Sequence, residues 1–286
     1  MQKTQLGVTA PLSTAPPTQK DLENTKLLID TLVSMHQYES DDEAELREQV
    51  LGKLHDLLKN FVYVISKKRN LPEQVASEAG GKIFTFGSYR LGVHQKGADL
   101  DTLCVVPKHV TREDFFTDMF EALKSRPEVT EITAVVDAYV PVITMKFSGI
   151  PIDLLFARLS VPTVTDDLDL ADPNLLKNLD EKCIRSLNGS TNAKITPIFL
   201  FFIGSRVTDE ILRLVPCIDS FRTALRCIKL WAKKRAVYSN IMGFFGGVAW
   251  AMVVARVAQL YPNASAGTIV AKFFRIMKQW YQIIIR

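Results

Sequence analysis

A chain of 286 residues, with 47 % hydrophobic and 23 % charged residues, is long enough for two hydrophobic cores and is neither fibrous nor wholly disordered. Its net charge is +4, but from Arg206 onward 13 Lys and Arg stand against 3 Asp and Glu, whereas residues 1–205 carry 22 against 28. This uneven distribution suits a polyanionic partner such as nucleic acid or a triphosphate, although solvated helix faces would give the same counts.

The cysteines and the amino terminus indicate an intracellular, soluble protein. Cys104, Cys183, Cys217 and Cys227 form no Cys-x-x-Cys pair, so we expect reduced, mostly buried thiols. The amino-terminal residues lack the apolar core of a signal peptide. No stretch approaches the roughly 20 apolar residues that a membrane span needs.

The first part of the chain predicts a tail followed by two helices. Residues 1–17 are rich in Pro, Thr and Ser, which is typical of a flexible segment. Thr18 with Asp21 loosely matches a helix-capping box, and Ser40 with Glu43 is a better match that opens a long amphipathic helix. A Gly-Gly pair then turns the chain into the first predicted strand.

The stretch from Phe84 to Val106 concentrates residue types that catalysis needs. Gly87-Ser88 predicts a turn after a short apolar run, and Asp99 and Asp101 stand two apart at the head of another apolar run. Side chains two apart in an extended strand project to the same side, so both carboxylates should point into one small space. Two negative charges held so close repel each other, and a divalent metal ion is the natural occupant.

A third acidic residue lies in a predicted hairpin. Tyr139 to Phe147 and Ile150 to Phe156 are apolar, β-branched runs joined by Ser148-Gly149, which predicts a tight turn. Asp153 stands in the middle of the second run, where an unpaired carboxylate is ordinarily excluded. A solvated Asp-x-Asp pair at a strand edge is a common alternative for the first two acids, and Asp153 argues against it.

The remaining elements predict a small mixed sheet backed by helices, followed by a helical second half. Residues 111–124 predict a helix and residues 130–138 a further strand. Asp172-Pro173 is typical of a helix start, so we expect a helix from there to about residue 187. Further helices are expected over residues 208–214, 219–235, 246–260 and 264–281. The predicted fold class is α+β.

The order of Gly-Ser, Asp-x-Asp and a later lone Asp resembles the nucleotidyltransferase superfamily typified by DNA polymerase beta. A closer resemblance, to the nuclear poly(A) polymerases of animals, runs from about residue 19 to 189 and resumes from 206 to about 280. The segments that carry it are FGSYRLGVHQKGADLDTLCVVPKHV, GIPIDLLFARL, IRSLNG, LRCIKLWAKKR, YSN and FFGGVAWAM. The resemblance implies a nucleotidyltransferase catalytic domain with a mixed β-sheet, and a partial, mostly helical central domain.

The resemblance assigns the chemistry to three carboxylates. Asp99, Asp101 and Asp153 would be catalytic and would bind two Mg²⁺ or Mn²⁺ ions, which serve the attacking hydroxyl and the triphosphate. It implies ATP as the substrate, with nucleotide contacts at Phe86, Gly87, Ser88, Gln95, Asp99, Leu100, Asp101, Asp153, Lys229, Tyr238, Gly247 and Val248. Gln95 differs from the residue type that the family carries there. Taken alone, Lys229 would be an ordinary lysine on a helix face.

Two departures from the family pattern stand in the second half. Residues 190–205 form an insertion, and residues 197–203 within it are apolar with high β-propensity, an aggregation hazard on a surface. The resemblance also stops after Trp280, so we expect an incomplete central domain and no RNA-binding, RRM-like domain. The expected organisation is a tail over 1–17, helices and the catalytic domain over 18–160, and the incomplete helical domain over 161–286.

The resemblance implies a polynucleotide adenylyltransferase that adds AMP from ATP to RNA 3′ ends in mRNA polyadenylation. Two alternatives stay open, a catalytically weak or silent truncated isoform of that enzyme and a related nucleotidyltransferase with another base preference. The implied partners are RNA 3′ ends, ATP and cleavage and polyadenylation factors, with a monomeric chain and no membrane. The family's location is nuclear, and a cytoplasmic location is the alternative because the family's carboxy-terminal localisation signals are missing.

Overall fold

The structure is a computed structural model that describes residues 9–170, 172–188, 205–239 and 241–284. The predicted insertion lies outside the described residues, except for its last position. In the described ranges the helices are α1 (Gln19–Ser34), α2 (Asp41–Lys68), α3 (Glu73–Glu78), α4 (Gly87–Leu91), α5 (Arg112–Asp114), α6 (Phe120–Lys124), α7 (Glu181–Asn188), α8 (Ser205–Leu214), α9 (Ile218–Lys234), α10 (Gly247–Leu260) and α11 (Ala266–Ile284). The strands are β1 (Lys82–Thr85), β2 (Leu100–Val106), β3 (Val129–Val135), β4 (Val142–Phe147) and β5 (Ile150–Arg158).

The described residues form two compact units that interleave along the chain. The sheet unit consists of the described parts of Glu39–Arg90 and Gly97–Thr208. The helical unit consists of the described parts of Met1–Tyr38, Leu91–Lys96 and Asp209–Arg286. The sequence predicts domains that are each continuous along the chain, whereas these units are made of separate segments. The expected domain boundaries stay a prediction.

The sheet unit is built on one five-stranded sheet with the strand order β1-β2-β5-β4-β3. Strands β2 and β5 are parallel, and the other neighbouring strands are antiparallel. The predicted hairpin is confirmed as β4 and β5. Its turn residues Ser148 and Gly149 have φ values of 49° and 82°, and two consecutive positive values are what a two-residue type I′ turn requires. The sheet is mixed, so the α+β prediction is confirmed.

Strand β2 is buried on both faces, which explains the continuous apolar run after Asp101. Leu100 packs in one hydrophobic cluster, to which helix α2 contributes Leu54 and Leu58. Leu103 and Val105 belong to a second cluster, shared with apolar residues of β5. Neighbouring side chains of a strand point to opposite faces. Because both faces of β2 are buried, an alternating pattern would bury polar side chains, and a continuous apolar run avoids this.

The helical unit is held together by apolar and aromatic packing among α1, α9, α10 and α11. The ring centroid of Trp231 lies 4.9 Å from that of Phe274 and 6.0 Å from that of Trp250. Part of the predicted tail joins this unit, since the backbone N–H of Leu12 donates to the carbonyl of Leu260 at 2.9 Å. The Pro- and Thr-rich composition of this segment does not predict that hydrogen bond.

One predicted helix is wrong in its extent. The helix expected from Asp172 to about residue 187 is a 3₁₀ helix (Pro173–Leu176) followed, after a break, by α7. Asn178 has a φ of 61°, which an α-helix does not accommodate, and the side chain of Asp180 then accepts a hydrogen bond from the N–H of Cys183 at 2.8 Å. Asp180 therefore caps a second helix after the break.

The helix predicted over residues 111–124 is present with an irregular centre. A π-helical turn (Phe115–Met119) separates α5 from α6. The side chain of Thr111 accepts a hydrogen bond from the N–H of Asp114, and the carboxylate of Asp114 accepts from the N–H of Thr111 at 2.7 Å. This capping box fixes where the helix begins.

The expectation of mostly buried thiols holds for two of the four cysteines. The four thiols are free, and Cys104 and Cys183 are buried, Cys227 is partly buried and Cys217 is exposed. Burial raises the pKa of the Cys183 thiol to about 11, so this thiol is not an activated nucleophile. None of the helices in the described ranges has the length and apolar character needed to cross a lipid bilayer.

Candidate active site

Three carboxylates meet where the parallel strands β2 and β5 begin to pair. Asp101 and Asp153 are direct register partners on these strands, and Asp99 precedes β2 by one residue. One carboxylate oxygen of each residue lies within 4.8 Å of the others. The structure thus brings the three predicted acidic residues together, while their catalytic role stays a prediction.

The electrostatics of this acidic triad (Asp99, Asp101 and Asp153) favour a bound cation. Asp99 is exposed, whereas the other two are partly buried. The pKa of the Asp153 carboxyl is raised above its usual value, first because burial in the sheet removes water from the carboxylate and then because the charge of Asp99 lies close. A positive ion between the three groups would offset both penalties.

Backbone hydrogen bonds fix the chain beside the two strand carboxylates. The N–H of Phe86 donates to the carbonyl of Asp101 at 3.1 Å, just beyond the paired part of β1. The hydroxyl of Thr102 donates to the carbonyl of Asp153 at 3.0 Å. The positions of Asp101 and Asp153 are therefore set by the sheet itself.

Gly87 lies directly against the carboxylate of Asp101. A Cβ atom built on Gly87 would stand 2.0 Å from Oδ2 of Asp101, and the φ of Gly87 is 63°. Glycine meets both requirements, because it has no Cβ and adopts a positive φ without strain. Ser88 follows in α4, so the Gly-Ser pair, predicted as a turn, opens a short helix whose first residue borders the triad.

Two further predicted nucleotide contacts lie in the sheet unit. Phe86 is partly buried against the hydrophobic cluster that contains Leu103 and Val105. The side chain of Leu100 is fully buried in the other cluster, which leaves its backbone for a ligand contact. The roles of Phe86 and Leu100 as nucleotide contacts stay predictions.

The other predicted contacts lie in the helical unit. Lys229 on α9 is buried, and its Nζ donates to the carbonyl of Val93 at 3.2 Å. Gln95 donates a hydrogen bond to the side chain of Gln37, and its Oε1 accepts one from Nζ of Lys233 at 3.1 Å. These contacts fix the 91–96 segment along α9.

Tyr238, Gly247 and Val248 stand around the start of α10 in the same unit. A Cβ atom built on Gly247 would lie 2.9 Å from the Tyr238 hydroxyl, so the two residues are closely packed. The ammonium group of Lys233 lies 5.5 Å from the centroid of the Tyr238 ring. Val248 is 36 % exposed, which leaves apolar surface for a ligand. Their role as nucleotide contacts stays a prediction.

Sequence reasoning missed two charged residues, Glu43 and Arg47, which bind the two residues before Asp99. Both belong to α2, and Arg47 is fully buried although it carries a charge. Their i, i+4 spacing is typical of a surface ion pair, so the pattern alone does not single them out. The position of Arg47 between apolar residues of an amphipathic helix was the available signal.

Comparisons with known proteins identify the family of the chain. The model of the poly(A) polymerase nucleotidyltransferase domain matches residues 7–194. The model of the poly(A) polymerase central domain matches residues 220–284. The chain belongs to the poly(A) polymerase family. The resemblance found in the sequence motifs is thereby confirmed.

Relatives of this family match nearly the whole chain. It is 53 % identical over 280 residues to a poly(A) polymerase of Dictyostelium discoideum, a match that covers 98 % of this chain and 33 % of the relative. It is 52 % identical to poly(A) polymerase pla1 of Schizosaccharomyces pombe, with 98 % of this chain and 47 % of the relative covered. The chain therefore spans between a third and a half of the length of these relatives.

Solved structures confirm the nucleotidyltransferase fold at low sequence identity. The polymerase core of TRAMP, an RNA surveillance complex, matches with a TM-score of 0.52 and 16 % identity over 91 % of this chain and 65 % of that chain. The Cid1 poly(U) polymerase matches with a TM-score of 0.52 and 13 % identity over 90 % of this chain and 73 % of that chain. At such identities the likeness concerns the fold alone.

Proposed function

We propose that this chain transfers AMP from ATP to the 3′ end of RNA, as a polynucleotide adenylyltransferase. The observation that carries the proposal is the acidic triad, whose three carboxylates converge within 4.8 Å in a chain of the poly(A) polymerase family. Metal-assisted nucleotidyl transfer uses two divalent ions, and carboxylates on adjacent strands can bind such ions together. The proposal extends to mRNA polyadenylation as the process served.

The residues of the triad fit divalent metal ions of the hard type. All three offer carboxylate oxygens, which Mg²⁺ and Mn²⁺ prefer as ligands, and a cation would offset both the burial and the nearby charge of Asp99 that raise the pKa of Asp153. Asp99, Asp101 and Asp153 would hold these ions. When bound, such ions lower the pKa of an attacking hydroxyl and neutralise the charge of a triphosphate.

The protein's own contribution is to hold the carboxylates and the nucleotide in place. Gly87 leaves room for the carboxylate of Asp101, and the N–H of Phe86 fixes the carbonyl of the same residue. The hydroxyl of Ser88 would donate to a triphosphate oxygen. An error of about 1 Å in such positioning costs on the order of a hundredfold in rate, which is why this local geometry matters.

Further nucleotide contacts are proposed for the helical unit. Lys229 would supply positive charge to the triphosphate, and Val248 would supply apolar surface to the base. Gln95, Tyr238 and Gly247 complete the proposed set. Charge supports this assignment, since α9 carries five Lys and Arg within Ile218–Lys234 and a single Asp.

The biological setting is proposed from the family. The partners would be RNA 3′ ends and cleavage and polyadenylation factors, and the active chain would be a monomer in the nucleus. Whether the insertion at residues 190–205 reduces activity is part of the same question, because a weak or silent isoform is the alternative.

The deciding experiment is extension of a short oligo(A) primer by the purified chain with ATP and either Mg²⁺ or Mn²⁺. We expect extension by the unaltered chain and none by Asp101→Ala. A parallel reaction with UTP separates the adenylyltransferase from a relative with another base preference. Absence of extension by soluble, folded protein in every reaction would contradict the proposal and leave a catalytically silent chain.

A further inference from the structure

Arg47 is a charged side chain with no exposed surface, on the first turns of α2 in the sheet unit. Its Nε lies 3.1 Å from Oε2 of Glu39, and its Nη2 lies 3.0 Å from Oε1 of Glu43. The side chains of these two glutamates are only 17 % and 14 % exposed. A charge buried to this degree needs partners of opposite sign, and the sequence supplies both of them from within eight residues.

The same two side chains bind the backbone turn that leads to Asp99. Nη2 of Arg47 donates to the carbonyl of Ala98 at 2.6 Å. Oε1 of Glu43 accepts the backbone N–H of Gly97 at 2.8 Å. The guanidinium therefore binds the carbonyl of Ala98 and the carboxylate binds the N–H of Gly97, and these are the two residues that precede Asp99.

One side of this turn is open. Gly97 has a φ of 69°, and a Cβ atom built there would meet no atom within 4 Å, so its surroundings are open. Asp101 and Asp153 are fixed by strand register, whereas Asp99 stands before β2 begins. The position of Asp99 thus depends on the turn at residues 97 and 98.

Stability alone does not account for this arrangement. Apolar residues of similar volume often replace a buried ion pair without loss of stability, because removing two charges from water is costly. Among the described residues, moreover, Nη1 of Arg47 is buried without a hydrogen-bond partner. An apolar side chain would avoid these costs, but it could not bind the carbonyl of Ala98.

We propose that Arg47 and Glu43 are positioning residues that hold Asp99 where metal binding requires it. The inference rests on the proposed function, because it assigns a purpose to the buried pair only if the acidic triad binds metal. In this proposal both residues act through the turn, by their hydrogen bonds to Gly97 and Ala98.

Binding of Mn²⁺ to the free protein tests this inference without any need for activity. Free Mn²⁺ is measured by electron paramagnetic resonance during a titration of the unaltered chain, Arg47→Met, Arg47→Lys and Glu43→Gln. We expect Arg47→Met to raise the Kd for Mn²⁺ about tenfold or more, the effect that loss of a supporting contact has on metal sites. Arg47→Lys keeps the charge and a hydrogen-bond donor group, so it should retain part of the affinity that Arg47→Met loses.

A matched control separates positioning from a general loss of stability. Ile65→Val trims another buried side chain of α2, far along the helix from the turn. It should lower Tm slightly and leave the Kd for Mn²⁺ unchanged. Hydrogen exchange adds a readout independent of metal, since the peptide over residues 97–100 should exchange faster in Arg47→Met and Glu43→Gln but not in Ile65→Val.

The outcomes are distinguishable. If the unaltered chain binds Mn²⁺ and the folded Arg47 and Glu43 variants bind it equally well, the positioning inference is wrong and the proposed function stands. If the unaltered chain binds no Mn²⁺, or Asp101→Asn binds it as tightly as the unaltered chain, the proposed metal site fails and the inference fails with it. Should Arg47→Met not fold, Glu43→Gln and Arg47→Lys decide by the same criterion.

Discussion

Gly87 combines two constraints, a positive φ and a blocked Cβ position. Its φ of 63° disfavours any residue with a Cβ atom, and the space where that atom would stand is occupied by Oδ2 of Asp101. A substitution there has to strain the backbone and displace a carboxylate of the triad. The two effects can be separated, because Gly149 has a similar φ of 82° and open space around it.

We predict that Gly87→Ala reduces primer extension at least about a hundredfold, because a displacement of about 1 Å at a reacting centre costs that much. Gly149→Ala introduces comparable backbone strain, of about 1–2 kcal/mol, without a clash. It should lower Tm to a similar degree and keep most of the activity. Equal activities of the two folded variants in the extension assay would contradict the importance of the contact with Asp101.

The predictability of single residues from sequence depended on whether their surroundings were anomalous. Asp153 could be predicted because a carboxylate in an apolar, β-branched run has no ordinary explanation. Glu43 could not, because a helix-capping box with Ser40 already explained it. The side chain of Ser40 does accept from the N–H of Glu43, yet the carboxylate of Glu43 binds Arg47 one helical turn away and also the N–H of Gly97, which only the fold brings close.

At the scale of elements, one basic face of α9 binds backbone carbonyls of another segment. Arg222, Arg226, Lys229 and Lys233 follow one another at spacings of four, three and four, so they share one face. All four donate hydrogen bonds to the segment 91–96, and three of them reach backbone carbonyls there. The positive charge of this face is therefore partly used to fix an irregular segment.

We predict that Arg226→Met lowers the free energy of unfolding by at least about 3 kcal/mol, because hydrogen bonds to a charged group contribute about 1.5–3 kcal/mol each and several are lost together. Its guanidinium donates to the carbonyls of Gln37, Gly92 and His94. Lys234→Met, on the same helix but exposed, should stay within about 0.5 kcal/mol of the unaltered chain. Urea denaturation followed by circular dichroism measures both, and equal losses would contradict the assignment.

The elements themselves were predictable to the extent that local signals determine them. The β4–β5 hairpin follows from Ser148-Gly149 between apolar runs, and the start of α1 follows from the capping box of Thr18 and Asp21. The break before α7 did not follow, because the left-handed conformation of Asn178 has no reliable sequence signal. The assignment of Leu91–Lys96 to the helical unit depends on contacts with α9, more than 120 residues away in the sequence.

At the scale of the whole molecule, carboxylates fall into two classes with opposite effects on acid stability. Burial raises the pKa of Asp114, but hydrogen bonds from Thr111 and the charge of Arg69 outweigh it, and the net pKa is lowered. Asp180 behaves alike, with burial outweighed by hydrogen bonds from Cys183 and by Arg112. Asp153 is the opposite case, since its pKa is raised.

The first class stabilises the fold above the ordinary carboxyl pKa of about 4, and this stability is lost as the pH falls through the lower pKa values of the folded state. We therefore predict that Tm, measured in EDTA by scanning fluorimetry, falls between pH 6 and pH 3. Asp153 acts in the reverse sense: its ionised form destabilises the fold at neutral pH, and this penalty disappears as the carboxyl is protonated. Asp153→Asn should consequently have a higher Tm than the unaltered chain at pH 7, with a gap that closes towards pH 3. A gap that stays constant, or a lower Tm of the variant at pH 7, would show that the ionised carboxylate of Asp153 does not destabilise the folded protein.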